Sequence, residues 1–167
     1  SVQTKGITLA PARGTGVKRK RVLPEFTGQG ILPAGIHKAA LEEIEARYGK
    51  FQRSDRRARL LAIVREFVQE VRACRWVQRV LLAGSLVTSK DEPDDIDLLL
   101  VFERHADFVD LLPHEYNVLY QTGAQRRFGF VLDLHVVEDG SEALERLLRF
   151  FQRDRDGQIV GIVEVLL

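Results

Sequence analysis

The hydrophobic pattern of the chain predicts helices that alternate with short buried strands. Apolar residues between Ser54 and Cys74 recur at three- and four-residue steps, which is typical of a helix with one buried face. Shorter apolar runs favour strands. The predicted strands are 80–83, 96–102, 130–137 and 159–167, and the predicted helices are 37–47, 54–74, 106–125 with a break near Pro113, and 141–151. This order predicts an α/β or α+β domain, with a small mixed sheet of about four strands flanked by helices.

Composition limits the class of protein. The 167 residues are 45% apolar and 29% charged, which is ordinary for a soluble domain. No apolar run approaches the roughly 20 residues that a bilayer-spanning helix needs, so no membrane partner is expected. A single cysteine, Cys74, excludes an internal disulfide and a cysteine-built zinc site, and we expect it to be buried. The absence of a secretory leader pattern adds to the expectation of a cytoplasmic location.

Charge divides the chain into two parts. Residues 1–22 carry six basic side chains and no acidic one, so the rest of the chain holds 19 basic against 24 acidic groups. We therefore predict a basic, irregular arm over residues 1–30 and a mildly acidic folded domain over 31–167. The basic run at 18–21 has two interpretations, a solvated tail or a nucleic-acid contact.

Three carboxylates mark the candidate chemistry. Asp95 and Asp97 are two residues apart at the start of a predicted strand, so both side chains point to one face of the sheet. Like charges at that distance raise each other's pKa unless a cation lies between them, and Mg²⁺ prefers such oxygen ligands. Asp133 interrupts another apolar strand, where a buried carboxylate needs a partner. A shared metal is one such partner, and a salt bridge to Arg126 or Arg127 is the alternative.

Gly84 and Ser85 follow the first predicted strand. A glycine at a strand end lets the backbone approach a phosphate, and the serine hydroxyl can add a hydrogen bond. Lys90 follows in the same loop as a further candidate phosphate contact. His135 shares the face of Asp133 by the two-residue period, and it is either a hydrogen-bonded core histidine or a group that touches substrate.

These motifs carry a family resemblance. One pattern in this chain resembles the signature of the DNA polymerase beta-like nucleotidyltransferase superfamily. The pattern is an apolar residue, Gly84-Ser85, nine further residues and Asp95-Ile96-Asp97, with a third aspartate on a later strand. The small size resembles its minimal members, many of which occur in toxin–antitoxin or defence loci. Further segments resemble an uncharacterised prokaryotic family with this fold, over roughly residues 26–167. They are residues 30–37, 84–90, 95–97 and 161–164.

The resemblance implies a nucleotidyltransferase fold and a function. Asp95, Asp97 and Asp133 would be catalytic and would hold two Mg²⁺ ions, while Gly84, Ser85 and Lys90 would bind an NTP. The acceptor would be a protein or RNA hydroxyl. Many active members have an Arg and a Gly soon after Gly-Ser, whereas this chain has residues 87–90, Val-Thr-Ser-Lys. Two alternatives therefore stay open: a non-catalytic binding module such as an antitoxin or regulatory subunit, and a nucleic-acid-binding accessory protein that works through the basic arm.

Overall fold

The computed structural model describes residues 23–50 and 53–167, and across them it contains five helices and one five-stranded mixed sheet. The elements are β1 (Ile36–Ala39), α1 (Leu41–Tyr48), α2 (Arg56–Arg72), β2 (Val77–Ala83), β3 (Ile96–Phe102), α3 (Pro113–Leu119), α4 (Gln121–Phe128), β4 (Leu132–Glu138), α5 (Glu142–Phe151) and β5 (Ile162–Val165). The predicted α/β class is confirmed, with five strands instead of about four.

The strand order is β1-β5-β2-β3-β4. The outer pairs, β1 with β5 and β3 with β4, are parallel, and the inner pairs are antiparallel. Because β2 runs against β3, the end of β2 lies beside the start of β3, and Ala83 pairs with Asp97. Because β4 runs with β3, its start lies at the same edge, and Asp97 pairs with Asp133. The topology thus gathers the end of β2 and the starts of β3 and β4 at one edge of the sheet.

The two faces of the sheet are covered unequally. Helices α1 to α4 pack on one face and build the larger apolar core with alternate strand residues such as Val80, Leu82 and Leu98. Among the described helices, only α5 contributes residues to the core on the other face, where Leu144 and Phe151 meet Leu81, Leu99 and neighbouring apolar side chains. Asp97 and Asp133 lie on this second face by strand alternation, since Leu99 follows two residues after Asp97.

Several predicted elements agree closely with the structure. The strand predicted over 96–102 is β3, and the helix from Ser141 is α5, where the Ser141 hydroxyl oxygen accepts a hydrogen bond from the Leu144 N–H at 3.1 Å. The helix predicted over 106–125 is only partly confirmed, because residues 106–112 are not helical; Pro113 begins α3, and α4 follows directly. Cys74 is buried, as predicted. No helix in the described part of the chain is long and apolar enough to cross a membrane.

Two predictions about the first third of the chain need correction. The helix predicted from residue 37 begins at Leu41, because residues 36–39 form an edge strand that pairs with β5 from the other end of the chain. The predicted boundary at residue 30 is too late, because Leu23 is 2% exposed and its carbonyl accepts a hydrogen bond from Arg47 of α1 at 3.2 Å. The rest of the predicted basic arm, residues 1–22, lies outside the described residues.

Candidate functional site

A cleft of about 600 Å³ opens at the sheet edge where β2 ends and β3 and β4 begin. This cleft is lined by all six residues that the sequence predicts to bind metal or nucleotide. They are Gly84, Ser85, Lys90, Asp95, Asp97 and Asp133. The opposite wall comes from the end of α5 and the turn that follows it.

Asp97 and Asp133 lie side by side at the floor of the cleft. They are direct neighbours in the parallel register of β3 and β4, so their side chains project from the same face. Burial raises the pKa of Asp97 to about 6, and the charges of Asp95 and Asp133 together with a hydrogen bond to Asp133 add to the rise. The two carboxyl groups therefore interact directly, and the charge of one disfavours the charge of the other when no cation lies between them.

Asp95 completes the acidic group one step outside β3. Burial raises the pKa of its carboxyl, and the negative charges of Asp133 and Asp94 raise it further, while Arg155 acts in the opposite direction. Each of the three aspartates thus lies within electrostatic reach of the other two. Repulsion of this kind favours the binding of a cation.

Gly84 has two physical reasons to be glycine. Its φ is +70°, a conformation that side-chain-bearing residues rarely adopt. A Cβ atom at this position would lie 2.0 Å from the Asp97 Oδ2 atom, which is far inside van der Waals contact. The role predicted from the sequence, a close approach of the backbone to a phosphate, stays a prediction. In the structure, the Asp97 carboxyl group fills the space that a side chain at this position would occupy.

A buried arginine fixes the loop after Gly84. Residues 84–87 form a single 3-10 turn, and the chain then continues irregularly to β3. Arg57 of α2 is 1% exposed and donates hydrogen bonds to the carbonyl oxygens of Leu86 at 2.8 Å, Thr88 at 2.7 Å and Lys90 at 3.0 Å. The adjacent Arg56 donates to the Pro93 carbonyl at 3.0 Å. The start of α2 therefore holds the loop in place beneath the cleft.

The segments behind the family resemblance meet in space. The Ser89 N–H donates to the Gly30 carbonyl at 2.8 Å, which joins the segment before β1 (residues 23–35, here called the leader) to the Gly84 loop. The Gly161 N–H donates to the Leu32 carbonyl at 3.0 Å, and a Cβ atom on Gly161 would lie 2.2 Å from the Pro33 carbonyl oxygen. His37 Nε2 lies 2.7 Å from that same oxygen, so His37 is structural. Ile31 and Leu32 of the leader, and Val160 and Gly161 just before β5, line the cleft.

The family comparison covers almost the whole described domain. Residues 24–166 match the family model DUF6932, described as a family of unknown function. The chain belongs to the DUF6932 family. The comparisons with curated proteins and with solved structures gave no match. The function of this DUF6932 domain therefore has to be argued from the cleft itself.

Lys90 and His135 lie at the margins of the acidic group. The Lys90 ammonium is 2.8 Å from Asp94 Oδ2, so it neutralises a carboxylate at the mouth of the cleft. His135 Nε2 is 3.4 Å from Asp133 Oδ2, and the imidazole packs edge-on against Phe151 of α5 at 5.1 Å between centroids. Arg127, one of the two suggested partners of Asp133, instead pairs with Glu70 at 3.0 Å.

The donor set fits a hard cation. Three carboxylates at one edge, with a polar loop beside them, are the ligand type that Mg²⁺ prefers. Within residues 23–50 and 53–167, however, no three His, Cys, Asp or Glu side chains are already arranged to hold an ion. Mg²⁺ is usually held by one or two carboxylates, with water or substrate oxygens as its other ligands.

Sequence reasoning missed three residues of the cleft wall and the arginine beneath it. Phe150, Arg153 and Arg155 line the cleft from the end of α5 and the following turn, and no motif or spacing marks them. Arg57 could have been found, because it lies three and four residues before Leu60 and Leu61 on the apolar stripe of α2. An arginine in such a stripe predicts a buried guanidinium with backbone partners.

Proposed function

We propose that this DUF6932 protein is a metal-dependent nucleotidyltransferase that moves a nucleoside monophosphate from an NTP to an acceptor hydroxyl. The observation that carries the proposal is the register of Asp97 with Asp133 beside the Gly84-Ser85 turn. A carboxylate pair next to a backbone turn suits a ligand that brings phosphate and a divalent cation together.

The roles follow from position. Asp95 and Asp97 would hold two Mg²⁺ ions, Asp133 would complete the second site, and Gly84 and Ser85 would contact the triphosphate. When bound, the ions supply charge neutralisation to the triphosphate and lower the pKa of the acceptor hydroxyl. The acceptor oxygen bonds to the α-phosphorus as the bond to pyrophosphate breaks, and the hydroxyl proton passes to Asp133. Lys90, at the mouth of the cleft, would contact the outgoing pyrophosphate after its ammonium group leaves Asp94.

The acceptor class is a hydroxyl of a protein or of RNA. The resemblance to toxin–antitoxin nucleotidyltransferases supports both acceptor classes, and of the two we propose a protein. The cleft is acidic without metal, so an RNA strand would need positive charge elsewhere to dock.

Nucleotide binding and transfer test the proposal directly. Calorimetry with each of the four NTPs, with and without Mg²⁺, should show binding that depends on the metal. Mass spectrometry of proteins and RNA from cells that express the protein should find an added nucleotide mass. Asp97→Asn should remove both results. Asp110→Asn changes an exposed carboxylate outside the cleft and serves as the matched control.

The outcomes separate the proposal from its alternative. A protein that binds no NTP with Mg²⁺ and adds no nucleotide to any acceptor is not a nucleotidyltransferase. A partner that binds equally well to wild type, Asp95→Asn and Asp97→Asn would favour the non-catalytic binding module. One observation supports that alternative. Many active members of the superfamily have an Arg and a Gly soon after Gly-Ser, whereas this chain has Val-Thr-Ser-Lys at residues 87–90.

A further inference from the structure

An exposed aromatic ring forms part of the cleft wall. Phe150 is 69% exposed although it is a large apolar residue, and it lines the same cleft as the three aspartates. Its ring packs edge-on against Phe151 at 5.2 Å, and Phe151 packs in the same way against His135 at 5.1 Å. A continuous series of contacts thus joins Asp133 to a phenylalanine whose ring remains open to a ligand.

Two arginines accompany this ring. Arg153 and Arg155 follow Phe150 within five residues and line the same cleft. The positive charge of Arg155 acts to lower the pKa of both Asp94 and Asp95, so it lies within electrostatic reach of the acidic group. One wall therefore offers an apolar π surface and guanidinium groups, opposite a floor of carboxylates.

The turn that carries the arginines is held by its own hydrogen bonds. Asp154 Oδ1 accepts from the N–H groups of Asp156 at 2.9 Å and Gln158 at 2.8 Å. Arg153 Nη1 donates to the Gly157 carbonyl at 3.0 Å, and the Gln158 amide donates to Gln29 of the leader. The turn is thus joined by a hydrogen bond to the leader, whose Ile31 and Leu32 also line the cleft.

We infer that Phe150 is the base-stacking residue for the NTP and that Arg155 contacts its phosphates. The inference builds on the proposed function and extends it to recognition of the substrate. A ligand that suits this wall has a flat aromatic group at one end and negative charge at the other, which is the chemistry of a nucleotide. Aromatic stacking tolerates every base because each has a π face, so all four NTPs should use the ring.

The test compares Mg–ATP with Mg–tripolyphosphate, which carries the phosphates without a base. Affinities are measured by calorimetry for wild type, Phe150→Ala and Phe150→Trp. Phe130→Ala is the matched control, because Phe130 is 87% exposed and lies outside the cleft. Since the Phe150 ring is mostly exposed, its removal should leave the melting temperature within a few degrees of wild type, and this is measured alongside.

Phe150→Ala should weaken ATP binding by about 5- to 150-fold, the range for loss of one stacked base, and leave tripolyphosphate binding unchanged. Phe150→Trp should retain ATP affinity, and Phe130→Ala should behave as wild type. Arg155→Gln should weaken both ligands by a similar factor, because it removes a phosphate contact and not a base contact.

Two results would overturn the inference, and they differ from each other. If Phe150→Ala binds ATP as wild type does, the ring does not stack on the base, even if transfer to the acceptor falls. If wild type binds neither ATP nor tripolyphosphate with Mg²⁺, the proposed function fails together with the inference.

Discussion

Removing the Asp97 charge should stabilise the metal-free protein at neutral pH. The pKa of Asp97 rises from 3.8 to about 6 in the folded state, chiefly because the carboxyl group is buried. Between those two values the folded chain binds more protons than the unfolded chain, so the free energy of unfolding falls as pH rises through this window. Above pH 6 the loss is complete, and below pH 4 it is absent.

The magnitude follows from the same shift. A rise from 3.8 to about 6 corresponds to about 3 kcal/mol of lost unfolding free energy. Because the carboxyl group keeps partial contact with water, screening reduces the figure to about 1–2 kcal/mol. For a chain of this size, that is a difference of about 2–8 °C in melting temperature. Asp97→Asn keeps the shape and removes the charge, so it should melt higher than wild type by this amount at pH 7.

Calorimetric melting in EDTA from pH 4 to pH 8 measures the effect. The difference between Asp97→Asn and wild type should grow from near zero at pH 4 to its full value above pH 6. Magnesium at pH 7 should then raise the melting temperature of wild type and not that of Asp97→Asn. Asp110→Asn should follow wild type in both respects. An Asp97→Asn protein that is less stable at pH 7 in EDTA, or equally stabilised by magnesium, would refute the reasoning.

Two further predictions concern the turn and its support. Gly84→Ala forces a left-handed φ on alanine and drives a methyl group against Asp97, so it should cost about 1–3 kcal/mol of stability and abolish nucleotide binding. Gly28→Ala, with open space around it, should do neither, and equal effects would contradict the steric argument. Arg57→Met leaves three loop carbonyls without their donor and should cost about 3 kcal/mol or more in urea unfolding. Arg59→Met, at an exposed pair with Asp55, should cost under about 1 kcal/mol, and similar losses for both would show that Arg57 is not a support of the loop.

The sequence predicted best where local pattern and final environment agree. β3 is apolar over both faces after Asp97, and its limits were predicted correctly because so short an apolar run is typical of a strand and too short for a buried helix. Residues 37–39 of β1 were predicted as helix because they have no strong period of their own, and their strand conformation depends on pairing with β5. Such a partner at the other end of the chain has no local signal.

The candidate site divides in the same way. The closeness of Asp95 and Asp97 follows from the two-residue period of a strand, and their grouping with Asp133 requires only that β3 and β4 be neighbours. Phe150 and Arg155 come from the far end of a helix and the turn after it. Their position at the cleft depends on the angle at which α5 crosses the sheet, and neither the spacing of residues in the sequence nor the composition specifies that angle.

The carboxylates of the cleft differ physically from the structural carboxylates of the same molecule. Glu115 is buried, and its hydrogen bond to Arg75 lowers its pKa. A carboxylate whose role is to hold the fold together is expected to show this depression, because its partner favours the charged form. For Asp95 and Asp97 the pKa moves the other way, since burial and like charge dominate. The fold therefore bears an electrostatic cost at this edge that its own cations do not remove, and a bound divalent ion is the kind of partner that would.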